Sequence, residues 1–322
     1  LPTWSHSRLS SFEKCPLQYR YRYVDRIRRD SFGVEAFMGQ RVHEGLEHLY
    51  RRKGAGKTPR LDEVLGVFRR RWQEEFSPRV KVVRKGQVAE DYRAEGEKCL
   101  RGYYHKNAPF DDGETLAIED KVEFSLDASG RYRIVGYIDR VSRQAPGVYE
   151  IHDYKTAANI PGDDELRRDR QLTFYQMAVR DRHADAREVR LVWHFLQQGE
   201  RRVSTRTEAE IEAHRRQAVR LIDTIEAAKE FPARTSMLCL WCEYRDICPA
   251  QKDRVAAEAA AVERALAAAR EKRLLTAGRP IGAVEQKSLG LIGIPEPLPV
   301  ARRRRGSRPT PPPPAVPPRP AT

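Results

Sequence analysis

Nowhere in this 322-residue chain is there an unbroken apolar run of the roughly 18 residues that a membrane-spanning helix needs, so a helical membrane protein is excluded. The opening residues, LPTWSHSRLSSF, hold no long apolar segment and do not read as a secretory signal. Cysteine is scarce, with five in the chain, too few for a disulfide-dense scaffold. No glycine signature of a flavin or nucleotide fold is present, which argues against a redox enzyme of that kind. No internal repeat is visible either. Acidic residues are in deficit, 46 against 60 Lys and Arg, leaving a formal charge of +14. That bias favours a polyanionic partner, but charge alone does not separate nucleic acid from an acidic membrane or protein. What is present, 40% hydrophobic residues, is enough to build a large core in one large or two modest domains.

The sequence divides by character. Ser5 or Ser7 should cap a short helix carrying Leu9 and Phe12, followed by Tyr19, Tyr21 and Tyr23 alternating with Arg20 and Arg22. That interleaving suits a nucleic-acid surface and equally an aromatic stripe on a packed element. Helices are expected at 31–52, 61–77 and 87–106; in the last, Cys99 shares an apolar face and reads as a buried small hydrophobe. The period then changes to that of strands at 115–126, 131–142 and 148–155, with a turn through Asp127–Gly130. A helix at 164–182, a strand at 189–195 and a helix at 207–229 complete an α/β pattern, a mixed central sheet flanked by helices on both faces. Residues 251–278 form an Ala-rich helical extension with a thin apolar face. Residues 279–322 are a Pro/Arg-rich tail, expected to be disordered, with eleven prolines in the last 28 positions and the run Arg302–Arg305.

The chemistry concentrates on two neighbouring strands. Asp139 stands among apolar residues in IVGYIDRV, and HDYKT supplies Asp153 and Lys155 on one strand face with Tyr154 on the other. Buried carboxylates need a compensating cation, so two acids and a lysine between apolar strands point to a divalent metal, Mg²⁺ or Mn²⁺ for oxygen ligands. Such a site suits phosphodiester hydrolysis, with Lys155 orienting water or stabilising developing charge. Taken alone, D-x-K is also an ordinary surface ion pair. Glu119 and Glu123 share a face of the preceding strand, and either could join the acids. His43, beside the apolar stripe of its helix, reads on its own as a structural histidine.

Cys239, Cys242 and Cys248 follow a C-x2-C-x5-C spacing, and Cys15 is the remaining candidate for a fourth ligand. Sulfur ligation by these four suits zinc or an iron–sulfur centre equally well, as a structural clasp between the two ends of the folded region. Free thiols in this number fit a reducing cytoplasm.

Taken in order, these motifs resemble the PD-(D/E)XK nuclease superfamily, and within it the RecB-like and CRISPR-adaptation-type exonucleases with an iron–sulfur cluster. The resemblance covers residues 3–250 or so. It runs through Ser5, Ser7, Leu9, Phe12, Cys15 and Pro16; Gly39 and His43; Glu119 and Val122; Gly136 and Asp139; Asp153 and Lys155; Gln171, Leu172 and Tyr175; and the terminal cysteines with Pro249. The resemblance implies a restriction-endonuclease-like core over 1–250 with Asp139, Asp153 and Lys155 as catalytic residues. It makes His43, Asp139 and Asp153 ligands of Mg²⁺ or Mn²⁺, with Glu119 a further candidate. It also implies a [4Fe–4S] cluster on Cys15, Cys239, Cys242 and Cys248, in preference to zinc, joining the N- and C-terminal parts. Gln171 and Tyr175 would place substrate or order the catalytic groups. The implied activity is cleavage of DNA, single-stranded or from an end, in repair, recombination or defence, with a helicase or CRISPR-adaptation protein as partner. Asp153 stands where the family more often has Glu. The competing expectation is a noncatalytic DNA-binding scaffold attached to a helicase.

Overall fold

The N-terminal segment sets the first frame of the structure, a computed structural model that describes residues 2–277. Trp4 forms a parallel bridge to Ile134, and Ser5 caps helix α1 (His6–Lys14) by accepting from Arg8 N–H at 3.1 Å. Pro16 opens α2 (Pro16–Tyr19), which runs into a π-helical turn, Arg20–Val24. A two-residue strand β1 (Phe32–Gly33) pairs with β2 (Val80–Lys81) around α3 (Val34–Gly54) and α4 (Leu61–Glu75), and α5 (Ala89–Asn107) follows. Next come β3 (Glu114–Ser125), β4 (Arg133–Ala145) and β5 (Val148–Lys155). The chain then crosses over through α6 (Asp163–Arg167) and α7 (Arg170–Arg182) to β6 (Glu188–Phe195), returns as β7 (Glu200–Ser204), and continues into α8 (Glu208–Ala227) and α9 (Lys252–Ala277).

The main sheet has order β3-β4-β5-β6-β7, antiparallel except for the parallel β5–β6 pair that the α6–α7 crossover permits. Its two faces bury separate cores. One gathers Ile138, Ile151, Leu191 and Trp193 with Phe174 of α7 and Ile222 of α8; the other packs Tyr154 with Val42, Leu49, Phe68 and Leu100 from α3, α4 and α5. The expected mixed, two-sided α/β sheet is therefore present. A unit boundary falls inside α9, at Leu266, and the expected tail at 279–322 lies outside the described residues.

Two differences from the sequence expectation, and one alternative left open there, have physical causes. The helix expected at 164–182 is broken, because Asp169 caps α7 through Leu172 N–H at 3.1 Å and accepts from Trp193 Nε1 at 3.0 Å with its other oxygen. Strand β7, ERRVS, carried no apolar alternation because it is an exposed, charged edge strand. The Tyr–Arg run is a packed element: Tyr19 is buried among Phe12, Tyr23 and Phe231, Tyr21 lies against Tyr244, and Arg22 pairs with Glu243. Cys99 is fully buried, as its helical face implied, and burial pushes its thiol up to about 12.

Candidate active site

Strand parity inverts at the site. In β3, Ile118 packs on the α3 side, yet Val122 and Phe124, also even-numbered, pack on the α7 side. Glu119 between them has φ +50°, a left-handed backbone uncommon for a residue with a side chain. This irregularity turns the Glu119 carboxylate toward the paired position on β4, where Ile118↔Arg140 and Asp120↔Ile138 bracket Asp139. Period-two reasoning also offered Glu123, which instead pairs with Arg133 away from these acids.

Helix α3 delivers the third group. His43 Nδ1 lies 3.5 Å from Asp139 Oδ1 and 3.9 Å from Glu119 Oε1. Its Nε2 is 2.8 Å from the Tyr154 carbonyl, which accepts the imidazole proton and leaves Nδ1 facing the carboxylates. Tyr154 also donates its own N–H to Asp139 Oδ2 at 2.8 Å. One peptide residue thus orients two of the three groups, and its phenol is in turn held by Arg140 Nε at 3.1 Å. Close approach makes these contacts possible: a Cβ on Gly39 of α3 would stand 3.0 Å from Thr156 Oγ1, just beyond Lys155.

The second half of the site lies on β5 and α7. The register Arg140↔His152, continued by one residue, sets Asp139 opposite Asp153. Lys155 Nζ stands 3.0 Å from Asp153 Oδ1, 2.7 Å from its Oδ2 and 3.4 Å from Gln171 Oε1. Gln171 Nε2 donates to Tyr175 OH at 3.1 Å, and the Tyr175 ring sits where Gly136 has no side chain, since a Cβ there would be 2.6 Å away. The glycine before Asp139 is thus the seat of the Tyr175 ring.

The electrostatics follow from this crowding. Burial alone would lower the His43 pKa, but the Asp139 carboxylate raises it to about 9. Burial pushes Glu119 up to about 7, with Asp139 adding to the effect. For Asp139, burial acts upward, yet His43 and the Tyr154 N–H outweigh it and hold the carboxyl below its usual range. Asp153, almost wholly buried, is raised by burial to about 6 despite Lys155. Burial would lower Lys155; the Asp153 carboxylate overrides it and keeps the ammonium charged. In short, the site holds more negative charge than its own cations neutralise comfortably.

A divalent cation fits this donor set. Among the described residues, His43, Glu119 and Asp139 are the His/Cys/Asp/Glu group of three or more whose ligand atoms all lie within 4.8 Å of one another. An imidazole nitrogen with its lone pair inward and two carboxylates suit Mg²⁺ or Mn²⁺. Asp153 stands outside that tight set, but its buried Oδ2 has no well-formed hydrogen bond.

The expected cysteine centre is corrected. Cys15, Cys239, Cys242 and Cys248 border a common cavity of about 210 Å³, but among the described residues no three of their sulfurs come within 4.8 Å of one another. Local backbone contacts account for two of them: Cys15 Sγ accepts from Arg234 N–H and Cys239 Sγ from Ser236 N–H, each at 3.4 Å. Burial pushes the Cys242 thiol up to about 11, favouring its protonated form. Neither a [4Fe–4S] cluster nor zinc is supported, nor is a cysteine-ligated join between the N- and C-terminal parts. Ion pairs and hydrogen bonds make that join instead, Arg22 to Glu243, Arg29 to Asp246 at 3.0 Å, and Tyr244 OH to the Ile27 carbonyl at 3.0 Å.

Sequence reasoning missed the part played by Tyr154. Its contribution is made through the backbone, for which HDYKT carries no side-chain signal.

Two solved structures are matched by the chain: a candidate exonuclease from Eubacterium rectale (14% identity, 78% of this chain and 87% of that one, TM-score 0.45) and SSO0001 (12% identity, 78% and 88%, TM-score 0.37). No curated protein matches the chain. The model of the PD-(D/E)XK nuclease superfamily matches residues 3–249, and the chain belongs to that superfamily.

Proposed function

We propose that this protein is a divalent-metal-dependent deoxyribonuclease that hydrolyses phosphodiester bonds in single-stranded DNA or at DNA ends. The observation that carries the reading is the convergence of His43, Glu119 and Asp139, with Asp153 opposite Asp139 and Lys155 beside it. His43, Glu119, Asp139 and Asp153 would hold Mg²⁺ or Mn²⁺, which when bound supplies Lewis-acid activation of water and neutralises phosphate charge. Lys155 keeps its ammonium where negative charge develops on the phosphate, and Gln171, braced by Tyr175, fixes that ammonium from the other side. The +14 charge of the chain suits a nucleic-acid substrate. The RecB-like resemblance of the Gly39–His43, Gly136–Asp139 and Gln171–Tyr175 elements supports action on strands made available by a helicase or adaptation partner. Free cysteines fit work in a reducing compartment.

Labelled single- and double-stranded oligonucleotides incubated with the protein and Mn²⁺ or Mg²⁺ provide the test. Cleavage should require the cation and fall by at least about 100-fold in Asp153→Ala and Lys155→Ala. Cleavage unchanged by either substitution would overturn the assignment. Salt-sensitive DNA binding without any cleavage would instead mark the noncatalytic scaffold.

A further inference from the structure

The active site uses none of the arginines that follow the π-helical turn. Residues 25–31 form a loop tied down at alternate positions: Ile27 N–H donates to the Tyr21 carbonyl at 2.8 Å, the Ile27 carbonyl accepts from Tyr244, and Arg29 pairs with Asp246. The intervening Arg26 and Arg28 are exposed and, among the described residues, have no ion-pair partner. Arg26 occupies a left-handed position, φ +53°, of the kind that glycine or asparagine ordinarily fills at a helix end. Its cationic side chain therefore stands at a position where the backbone favours a different residue.

These two arginines border a cavity of about 670 Å³ that is also lined by Phe32 and Trp241. Both rings are large and part-exposed, 43% and 39%. The carboxylate Glu243 on this cavity is neutralised by Arg22, leaving Asp30 as the opposing charge. Ala36 of α3 lines this cavity and also a neighbouring one of about 780 Å³, which reaches Thr156, the residue after Lys155. The second chamber provides room rather than positive charge: Glu35 is engaged by Arg84, Tyr92 and Trp241, Asp91 caps α5, and Glu95 pairs with Lys98. Ala36 is seven residues from His43, about 10 Å along the helix. Unpaired arginines sharing a cavity with part-exposed aromatic rings form the arrangement that takes a strand whose bases are unstacked; a duplex keeps those faces covered.

We propose that the cavity between the 25–31 loop and Trp241 binds single-stranded DNA, Arg26 and Arg28 holding phosphates and Phe32 and Trp241 stacking bases, with the strand continuing along α3 toward His43. The assignment rests on the nuclease reading and names its substrate track. Binding of a fluorescein-labelled 15-mer of deoxythymidine is measured by anisotropy in EDTA, so that cleavage plays no part. Arg26→Gly with Arg28→Ala should weaken binding by at least tenfold and reduce the slope of log affinity against log salt by about 1.4. Phe32→Ala with Trp241→Ala should weaken it by a similar factor, and an abasic oligonucleotide should lose the difference. Arg26→Gly alone should raise the melting midpoint while lowering affinity, since glycine suits the left-handed backbone. A purely structural arginine would not give these opposed signs. Affinity unchanged in the double arginine variant would overturn the proposal, as would an equal or larger loss for a blunt duplex of the same length. A protein that binds the 15-mer through these residues yet cleaves no DNA would overturn the nuclease reading and uphold this one.

Discussion

Proton and metal should compete at His43, and pH should expose the competition. In the metal-free fold its pKa is about 9, against 6.5 for a free imidazole, because Asp139 stands 3.5 Å from Nδ1. A raised folded-state value means that this contribution to stability is fully present below pH 6.5 and is lost as pH climbs through 9. The size is on the order of 2–3 kcal/mol, from about 1.4 kcal/mol per pH unit with some allowance for solvent screening. Glu119 and Asp153 carry the same sign, but their losses are complete near pH 7 and 6 respectively. The histidines lowered by burial, His6 and His194 among them, weaken the fold only below about pH 6.5, where the unfolded chain takes up their protons. Between about pH 7 and 8 His43 is therefore the largest single titrating group; above that range the unfolded thiols of Cys99 and Cys242, raised by burial in the fold, add a loss of the same sign. Urea unfolding in EDTA across that window should show a stability that falls with pH in the parent protein and falls much less steeply in His43→Gln. Mn²⁺ should reverse the trend, because a deprotonated Nδ1 is the ligand, and its affinity should rise by up to tenfold per pH unit. A parent protein whose stability and Mn²⁺ affinity are flat over this range, or a His43→Gln protein that keeps the parent slopes, would refute the reasoning.

Other consequences follow from the packing. Gly136→Ala should destabilise by about 1–3 kcal/mol by overpacking against Tyr175 and should also lower nuclease turnover, read by chemical unfolding and a cleavage assay. Asp169→Ala removes both the α7 cap and the Trp193 partner, and should cost about 1–2 kcal/mol in unfolding free energy. Glu119→Gly should relieve the left-handed backbone while deleting a ligand candidate, so thermal stability should hold or rise as Mn²⁺ affinity, followed by calorimetry, falls.

Long, strongly patterned elements were legible in the chain: β5 covers the expected 148–155, and α3, α5 and α8 lie within three residues of their expected bounds at each end. Features settled by short-range chemistry against the prevailing pattern were not. Asp169 interrupts a helix-like periodicity with a cap, and β7 is an edge strand whose charged side chains hide its pairing. The C-x2-C-x5-C spacing brought its thiols to one cavity, but spacing fixes proximity along the chain and not the distance between sulfurs, which depends on the turns around them.

By itself the amino-acid order determined the strand-borne carboxylates and the helix that carries His43, because periodicity acts locally; that Gly39 and Gly136 make room for Thr156 and Tyr175 emerged from the fold. Strand periodicity left Glu119 and Glu123 level, and the family resemblance favoured Glu119; the tertiary structure supplies the physical reason that it faces the acids, one left-handed residue that inverts strand parity. Tertiary structure alone decided that Tyr154, through its N–H and carbonyl, aligns Asp139 and His43. Backbone groups are the same in every residue, and only the folded chain says which of them point at one another.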